Sequence, residues 1–176
     1  MSHIILSKDD CNFIKSFWDE SSAIILNNSR KLVKLDDINN ISFKSPMKGL
    51  CIDYHDITLL NFVLQKLKII GIESIQTNSV KISKYSTGDY FGPHHDFNFY
   101  GKGAIYKTLV VQLSDSAEYI GGNLYVKDVP QPREQGSYSL FLSSDIHEVK
   151  LLEEGIRFSL TIFLNESDFI NTKSII

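Results

Sequence analysis

The residues of this chain best suited to chemistry lie in one stretch, Lys84 to Asp96, which reads KYSTGDYFGPHHD. It sets two imidazoles and a carboxylate side by side, after a β-like run and a turn marked by Gly88, Gly92 and Pro93. In an extended segment side chains alternate between faces, so His94 and Asp96 point one way and His95 the other. One imidazole and one carboxylate on a common face can take two adjacent positions on a divalent metal. The third donor must come from elsewhere, and His147, in SSDIHEV directly after another β-like run, is the obvious one.

Two histidines and one carboxylate on one face of an octahedron leave three positions open, the ligand pattern of non-haem Fe(II) oxygenases. The open positions suit a cosubstrate and dioxygen. A structural zinc would want four protein ligands, usually rich in cysteine, and neither Cys11 nor Cys51 sits near these residues in sequence. His55 precedes a helix start and reads as a surface or capping residue, and His3 carries less information still.

The elements that must position these groups are a small helical part and a larger β part. Ser7 reads as the N-cap of a helix with Cys11, Ile14, Phe17 and Trp18 at helical spacing. Residues 21–36 hold at least one strand, and 36–49 reads as a polar loop. Asp56 caps a second helix whose apolar face is Leu60, Val63, Leu64, Leu67 and Ile70, ended by Gly71. Beyond it the runs SVKISKY, KTLVVQLS, GNLYVKD, GSYSLFLSS and IRFSLTIFL are short and β-branched or aromatic, a texture that predicts an antiparallel sandwich or barrel. FNFYGKGAIY and DVPQPREQ read as loops at the barrel mouth, where substrates are usually chosen. The chain of 176 residues is expected to be a single domain, with helical support over about 1–75 and a β core over about 76–165.

A net charge of −3 and a pI near 5.9 give no reason to expect a nucleic-acid footprint. No signal pattern opens the chain, because Ser7, Lys8, Asp9 and Asp10 interrupt the first apolar run, and no segment approaches a membrane span. Two cysteines suggest no disulfide framework, so the expected location is cytoplasmic. Oligomeric state is left open.

Taken together and in order, these residues resemble the 2-oxoglutarate and Fe(II) dependent dioxygenases, in the prolyl 4-hydroxylase-like branch. The resemblance runs from about Val80 to Leu164. Tyr85, Gly88 and Phe91 precede His94-x-Asp96; a GG-x-L stretch follows as Gly121, Gly122 and Leu124; then come His147 and Val149, and finally Gly155-x-Arg157, with the arginine ten positions after the distal histidine. HxD alone is a weak signal, whereas the order and spacing of all these parts are a strong one.

The resemblance implies a mainly β fold with flanking helices, built on a double-stranded β-helix, the jelly-roll or cupin-like core. It implies Fe(II) held by His94, Asp96 and His147, and 2-oxoglutarate held at its distal carboxylate by Arg157. Tyr85 and Ser159 would add hydroxyl contacts to the same cosubstrate. The implied reaction uses O2 and decarboxylates 2-oxoglutarate while hydroxylating a substrate, a prolyl residue in a peptide or protein; ascorbate enters as an optional reductant. Asp96 favours hydroxylation over halogenation, which needs a small residue there. Gln112 and Thr108 share a face of their strand and could line the pocket, although the family often has an aromatic hydroxyl near these positions. Lys107, at a strand start, reads as solvated. Two other readings stand beside this one: an oxygenase acting on a free amino acid or other small molecule, and a cupin-type metal enzyme that consumes no 2-oxoglutarate and needs no Arg157.

Overall fold

The structure, a computed structural model, describes residues 4–21, 24–25, 50–53, 56–76, 79–96 and 105–169, the short stretches 24–25 and 50–53 by their backbone only. Two helices come first. In α1 (Lys8–Lys15) the Ser7 hydroxyl accepts from the Asp10 amide while the Asp10 carboxylate accepts from the Ser7 amide, a reciprocal capping box. Cys11 and Ile14 are buried, whereas Phe17 and Trp18 lie beyond the helix end and pack against the core from the following turn. In α2 (Ile57–Leu67) the Asp56 carboxylate accepts from the amides of Thr58 and Leu59. A single 3-10 turn follows, and Gly71 closes it in the left-handed conformation at φ +80°. The buried face of α2 is Leu59, Leu60, Val63 and Leu67; Leu64 is only partly buried, so the face is rotated slightly from the expected one.

The strands are β1 (Ile24–Ile25), β2 (Leu50–Asp53), β3 (Val80–Ser86), β4 (Phe91–His94), β5 (Lys107–Gln112), β6 (Tyr119–Gly121), β7 (Leu124–Val126), β8 (Val129–Pro130), β9 (Tyr138–Leu142), β10 (His147–Val149) and β11 (Leu152–Leu164). All pair antiparallel. The larger sheet runs β1-β2-β3-β11-β5-β9, with β6 on the far end of β11; the smaller runs β4-β10-β7-β8. Each expected β run contains a strand. Five further strands, β2, β4, β6, β8 and β10, are only two to four residues long, and β4, β6 and β8 contain Gly or Pro, which is why composition does not announce them. DVPQPREQ, expected as a loop, begins with β8, reached from β7 through Lys127 and Asp128, both at positive φ. The expected loop at 36–49, the part 97–104 of the expected loop FNFYGKGAIY, and the run RKLVKL lie outside the described residues.

The fold is a double-stranded β-helix flanked by helices. Strand β11 is its axis, pairing with β3 along one edge and β5 along the other. One face of these three strands presents Val80, Ile82, Leu109, Val111, Leu160, Ile162 and Leu164 to α1 and α2, all buried. Burying each such side chain is worth about 1.5–3 kcal/mol, so this face supplies much of the fold's stability. The opposite face looks toward the smaller sheet and carries the polar residues. No helix among the described residues is long and apolar enough to cross a membrane.

Candidate active site

His94 ends β4 and His147 begins β10, and the two are paired across the antiparallel ladder. That register puts both rings on one face, with centroids 4.1 Å apart. Asp96 follows two residues after His94, where its amide donates to the Ser143 carbonyl at 2.8 Å, and the Ser143 hydroxyl in turn donates to the Ile105 carbonyl. One donor atom from each of His94, Asp96 and His147 lies within 4.8 Å of the others, and all three residues are buried. His95 takes no part in this cluster, as the alternation of an extended segment requires.

Each ring is oriented by the backbone two residues upstream. His94 Nδ1 lies 2.8 Å from the Gly92 carbonyl and His147 Nδ1 3.0 Å from the Asp145 carbonyl. A carbonyl can only accept, so Nδ1 carries the hydrogen and Nε2 faces the cluster, 3.7 Å (His94) and 3.3 Å (His147) from Asp96 oxygens. Thr108 donates to Asp96 Oδ2 at 2.7 Å. Phe91 stacks on the His94 ring at 3.6 Å, and Phe141 leans on His147 at 4.7 Å.

The electrostatics of the two rings diverge. Burial, reinforced by the neighbouring His147, pushes His94 down to about 4, against the opposing pull of Asp96. Burial also works against the His147 cation, but its hydrogen bond and charge interaction with Asp96 outweigh that and raise it above the usual histidine value. Asp96 is burdened by burial yet held below the usual carboxylate range by His147, His94 and Thr108. Three donors converging from two directions, with no fourth protein donor in the group, form a set that fits an open-sided divalent metal site.

Arg157 is 1% exposed and lines the same cavity as the three donors. Its Nε donates to Gln112 Oε1 at 3.1 Å, and its guanidinium carbon sits 5.4 Å from the centroid of the Tyr85 ring. Nη1 and Nη2 are buried without a hydrogen-bond partner among the described residues. Buried guanidinium N–H groups left unsatisfied are costly, and their planar fork matches the two oxygens of a carboxylate. A dicarboxylic cosubstrate therefore fits this chain's own residues. Tyr85 and Ser159, 4% and 3% exposed, line the cavity as expected, Tyr85 opposite Arg157 in register and Ser159 two residues further along β11.

Glycine explains two pieces of the sequence pattern. Gly155 has φ +89°, and a Cβ there would collide with the Glu118 carbonyl, so β6 can pair beside Arg157 only because this residue is glycine. Gly122, at φ +62°, would put a Cβ 2.5 Å from Leu152 Cδ1 and 3.4 Å from Arg157 Cδ.

Of the two neighbours whose roles were open, Thr108 secures Asp96 and Gln112 secures Arg157. Lys107 does not line the cavity; its ammonium lies over the rings of Tyr106 and Phe169. Lys81, Ser83, Thr161 and Phe163 line the cavity without having been read from sequence as site residues. Lys81 and Ser83 could have been found by stepping back in twos from Tyr85 along β3, as Thr161 and Phe163 could by stepping forward from Arg157.

The two sheets of the jelly-roll thus enclose converging imidazoles, a carboxylate and a buried arginine. Residues 80–165 match the family described as the 2OG-Fe(II) oxygenase superfamily. The match covers 86 of the 176 residues, just under half of the chain, and the iron and cosubstrate chemistry for which that superfamily is named agrees with the donors found here. A curated relative, a PKHD-type hydroxylase of Prochlorococcus marinus, is 29% identical over 86 residues, covering 47% of this chain and 39% of the relative. This chain thus matches about two fifths of that relative's length. Among solved structures, a prolyl hydroxylase from Trichoplax adhaerens, in complex with a hypoxia inducible factor oxygen degradation domain peptide fragment, superposes with TM-score 0.62 at 14% identity, covering 96% of this chain and 83% of that one. The viral collagen prolyl hydroxylase of Paramecium bursaria Chlorella virus-1, in its 2OG complex, gives TM-score 0.60 at 13% identity, with 93% and 92% covered. A Pseudomonas putida prolyl-4-hydroxylase gives 0.55 at 16%, with 94% and 91% covered. At such identities these likenesses establish the fold.

Proposed function

We propose that this chain is a 2-oxoglutarate- and Fe(II)-dependent dioxygenase that hydroxylates a prolyl substrate. The observation that carries the reading is the buried Arg157, whose Nη1 and Nη2 have no partner among the described residues and whose side chain lines the cavity of the His94, Asp96 and His147 donors. A cupin-type hydrolase or isomerase would have no use for that arginine.

In this reading His94 and His147 bind iron through Nε2 and Asp96 through its carboxylate, with Thr108 fixing the carboxylate's rotation. Arg157 grips the distal carboxylate of 2-oxoglutarate, Gln112 holds the guanidinium in plane, and Tyr85 and Ser159 supply neighbouring hydroxyls. Iron bound there with 2-oxoglutarate and dioxygen would supply the oxidising power for hydroxylation, at the cost of converting 2-oxoglutarate to succinate and carbon dioxide. The protein's part is orientation and exclusion of water. The apolar side chains of Phe91, Val110, Leu124 and Val149 line the cavity and keep it dry beside the donors. The 176 residues act as one domain, in which α1 and α2 cover the larger sheet and β1 and β2 extend its edge. The prolyl preference draws support from relatives named as prolyl hydroxylases.

Succinate release from purified protein supplied with Fe(II), 2-oxoglutarate and oxygen, with and without proline-containing peptides, tests both levels. Release stimulated by particular peptides is the expected result. Release that no peptide stimulates would overturn the prolyl-peptide part, and failure of the metal-loaded protein to bind 2-oxoglutarate would overturn the reaction class.

A further inference from the structure

The two carboxylate oxygens of Asp96 are not equivalent. Oδ2 accepts from the Thr108 hydroxyl at 2.7 Å and lies 3.3 Å from His147 Nε2. Oδ1, 3.7 Å from His94 Nε2, accepts no hydrogen bond among the described residues. The protein thus holds one oxygen and leaves the other open beside the histidines. The main chain is held as well, because the Asp96 amide donates to the Ser143 carbonyl at 2.8 Å.

Thr108 is 1% exposed and is followed on β5 by the apolar run Leu109, Val110 and Val111; it pairs with Phe163 on β11 and with Phe141 on β9. Among such neighbours a valine would pack as well as a threonine and would bury no hydroxyl. The hydroxyl is present where Asp96 Oδ2 can accept from it. Threonine is β-branched and stiff at χ1, so its O–H is aimed by the backbone of β5. A threonine that served only to satisfy a buried carboxylate would be matched by a second donor on Oδ1, and none is found among the described residues. A carboxylate turning to present both oxygens to one metal would swing Oδ2 away from Thr108 and leave a buried donor without its acceptor.

We propose that Thr108 makes Asp96 a one-oxygen ligand, through Oδ1, and so reserves a metal position that a two-oxygen carboxylate would fill. Thr108 is a positioning residue, since it acts through Asp96 and not on the metal or the substrate. The inference rests on the dioxygenase reading of the same site. With both histidines and one oxygen bound, three positions of an octahedron stay open, enough for a chelating cosubstrate and dioxygen together. With both oxygens bound only two stay open, and the cosubstrate alone fills them.

The test uses the full chain loaded with Mn(II), whose effect on the relaxation of water protons counts the exchangeable waters on the metal. The expected result is about three waters for wild-type protein and Thr108→Ser and about two for Thr108→Val, falling with saturating 2-oxoglutarate to about one and to none. Affinities for Mn(II), by competition with a chelator, and for 2-oxoglutarate should change less than about threefold in Thr108→Val, while succinate formation by the iron-loaded variant falls at least tenfold. Two waters on the wild-type protein without cosubstrate, or an unchanged count in Thr108→Val, would overturn the assignment. So would a tenfold loss of Mn(II) affinity in Thr108→Val, which would make Thr108 a support that keeps Asp96 in the site whatever its mode of ligation. Thr108→Ala, also without a donor, guards against misfolding of Thr108→Val and should lose the same water. Failure of 2-oxoglutarate to displace waters from the wild-type protein would count against the dioxygenase reading itself, whereas the counts without cosubstrate judge the role of Thr108.

Discussion

The two faces of β11 differ as much as any two regions of this molecule, although they alternate residue by residue along one strand. Phe158, Leu160, Ile162 and Leu164 pack toward the helices, whereas Arg157, Ser159, Thr161 and Phe163 line the cavity. The apolar face is closed and filled by α1 and α2. The other keeps buried polar groups whose partners are incomplete among the described residues, most plainly Nη1 and Nη2 of Arg157. Strand geometry with a period of two lets one segment supply stability on one side and binding on the other. It also separates the consequences of substitution.

The largest effect is expected on the cavity side. Asp96→Ala should reduce succinate formation by at least a thousandfold, because it removes a metal donor and leaves Thr108 without its acceptor, while the melting temperature stays within a few degrees. A large loss of stability would break the distinction between the faces. Arg157→Ala should weaken 2-oxoglutarate binding about a hundredfold or more, as expected when charge-assisted bonds worth about 1.5–3 kcal/mol each are lost. Metal affinity, measured by competition with a chelator, should hardly change; equal loss of both would make Arg157 a structural residue. Leu160→Ala tests the opposite face. It should cost about 2–5 kcal/mol in denaturant unfolding while the folded fraction binds 2-oxoglutarate normally.

A smaller effect sharpens the contrast between the two histidines. Without metal, His94 is neutral above about pH 4, whereas His147 is raised above its usual value of 6.5 and holds a proton at mildly acidic pH. Metal binding requires both Nε2 atoms unprotonated, so from about pH 5 to 6.5 it must displace one proton, from His147. Affinity for Mn(II) should rise about tenfold per pH unit in that window and level off above the folded value of His147. Calorimetry in buffers of different ionisation enthalpy gives the proton count, and a release of two would mean that His94 is protonated as well.

The converging His94, Asp96 and His147 and the buried Arg157 were legible as a group because HxD, His-x-V and G-x-R are short motifs on or beside strands, where alternation tells which side chains share a face. The helix ends at Ser7 and Asp56 were legible for a similar reason, since a cap is a local bond between near neighbours. Gln112 and Thr108 could be placed on one face of β5 but not given partners, because Arg157 and Asp96 reach them from other strands. Strands β6 and β8 escaped notice because two or three residues carry no periodicity, and the rotation of α2 toward Leu59 was set by the sheet it covers.

By itself the sequence determined the alternation along each strand, the donor types and their order, and the glycines that let backbones meet beside Arg157. These are properties of near neighbours and of covalent geometry. Only the tertiary structure decided that His94 stands opposite His147, that the Arg157 fork is left open while its Nε is tied to Gln112, and that Lys81 enters the same cavity. Each depends on the register between strands distant in the chain, which is set by the packing of the whole sheet against its helices rather than by any local preference.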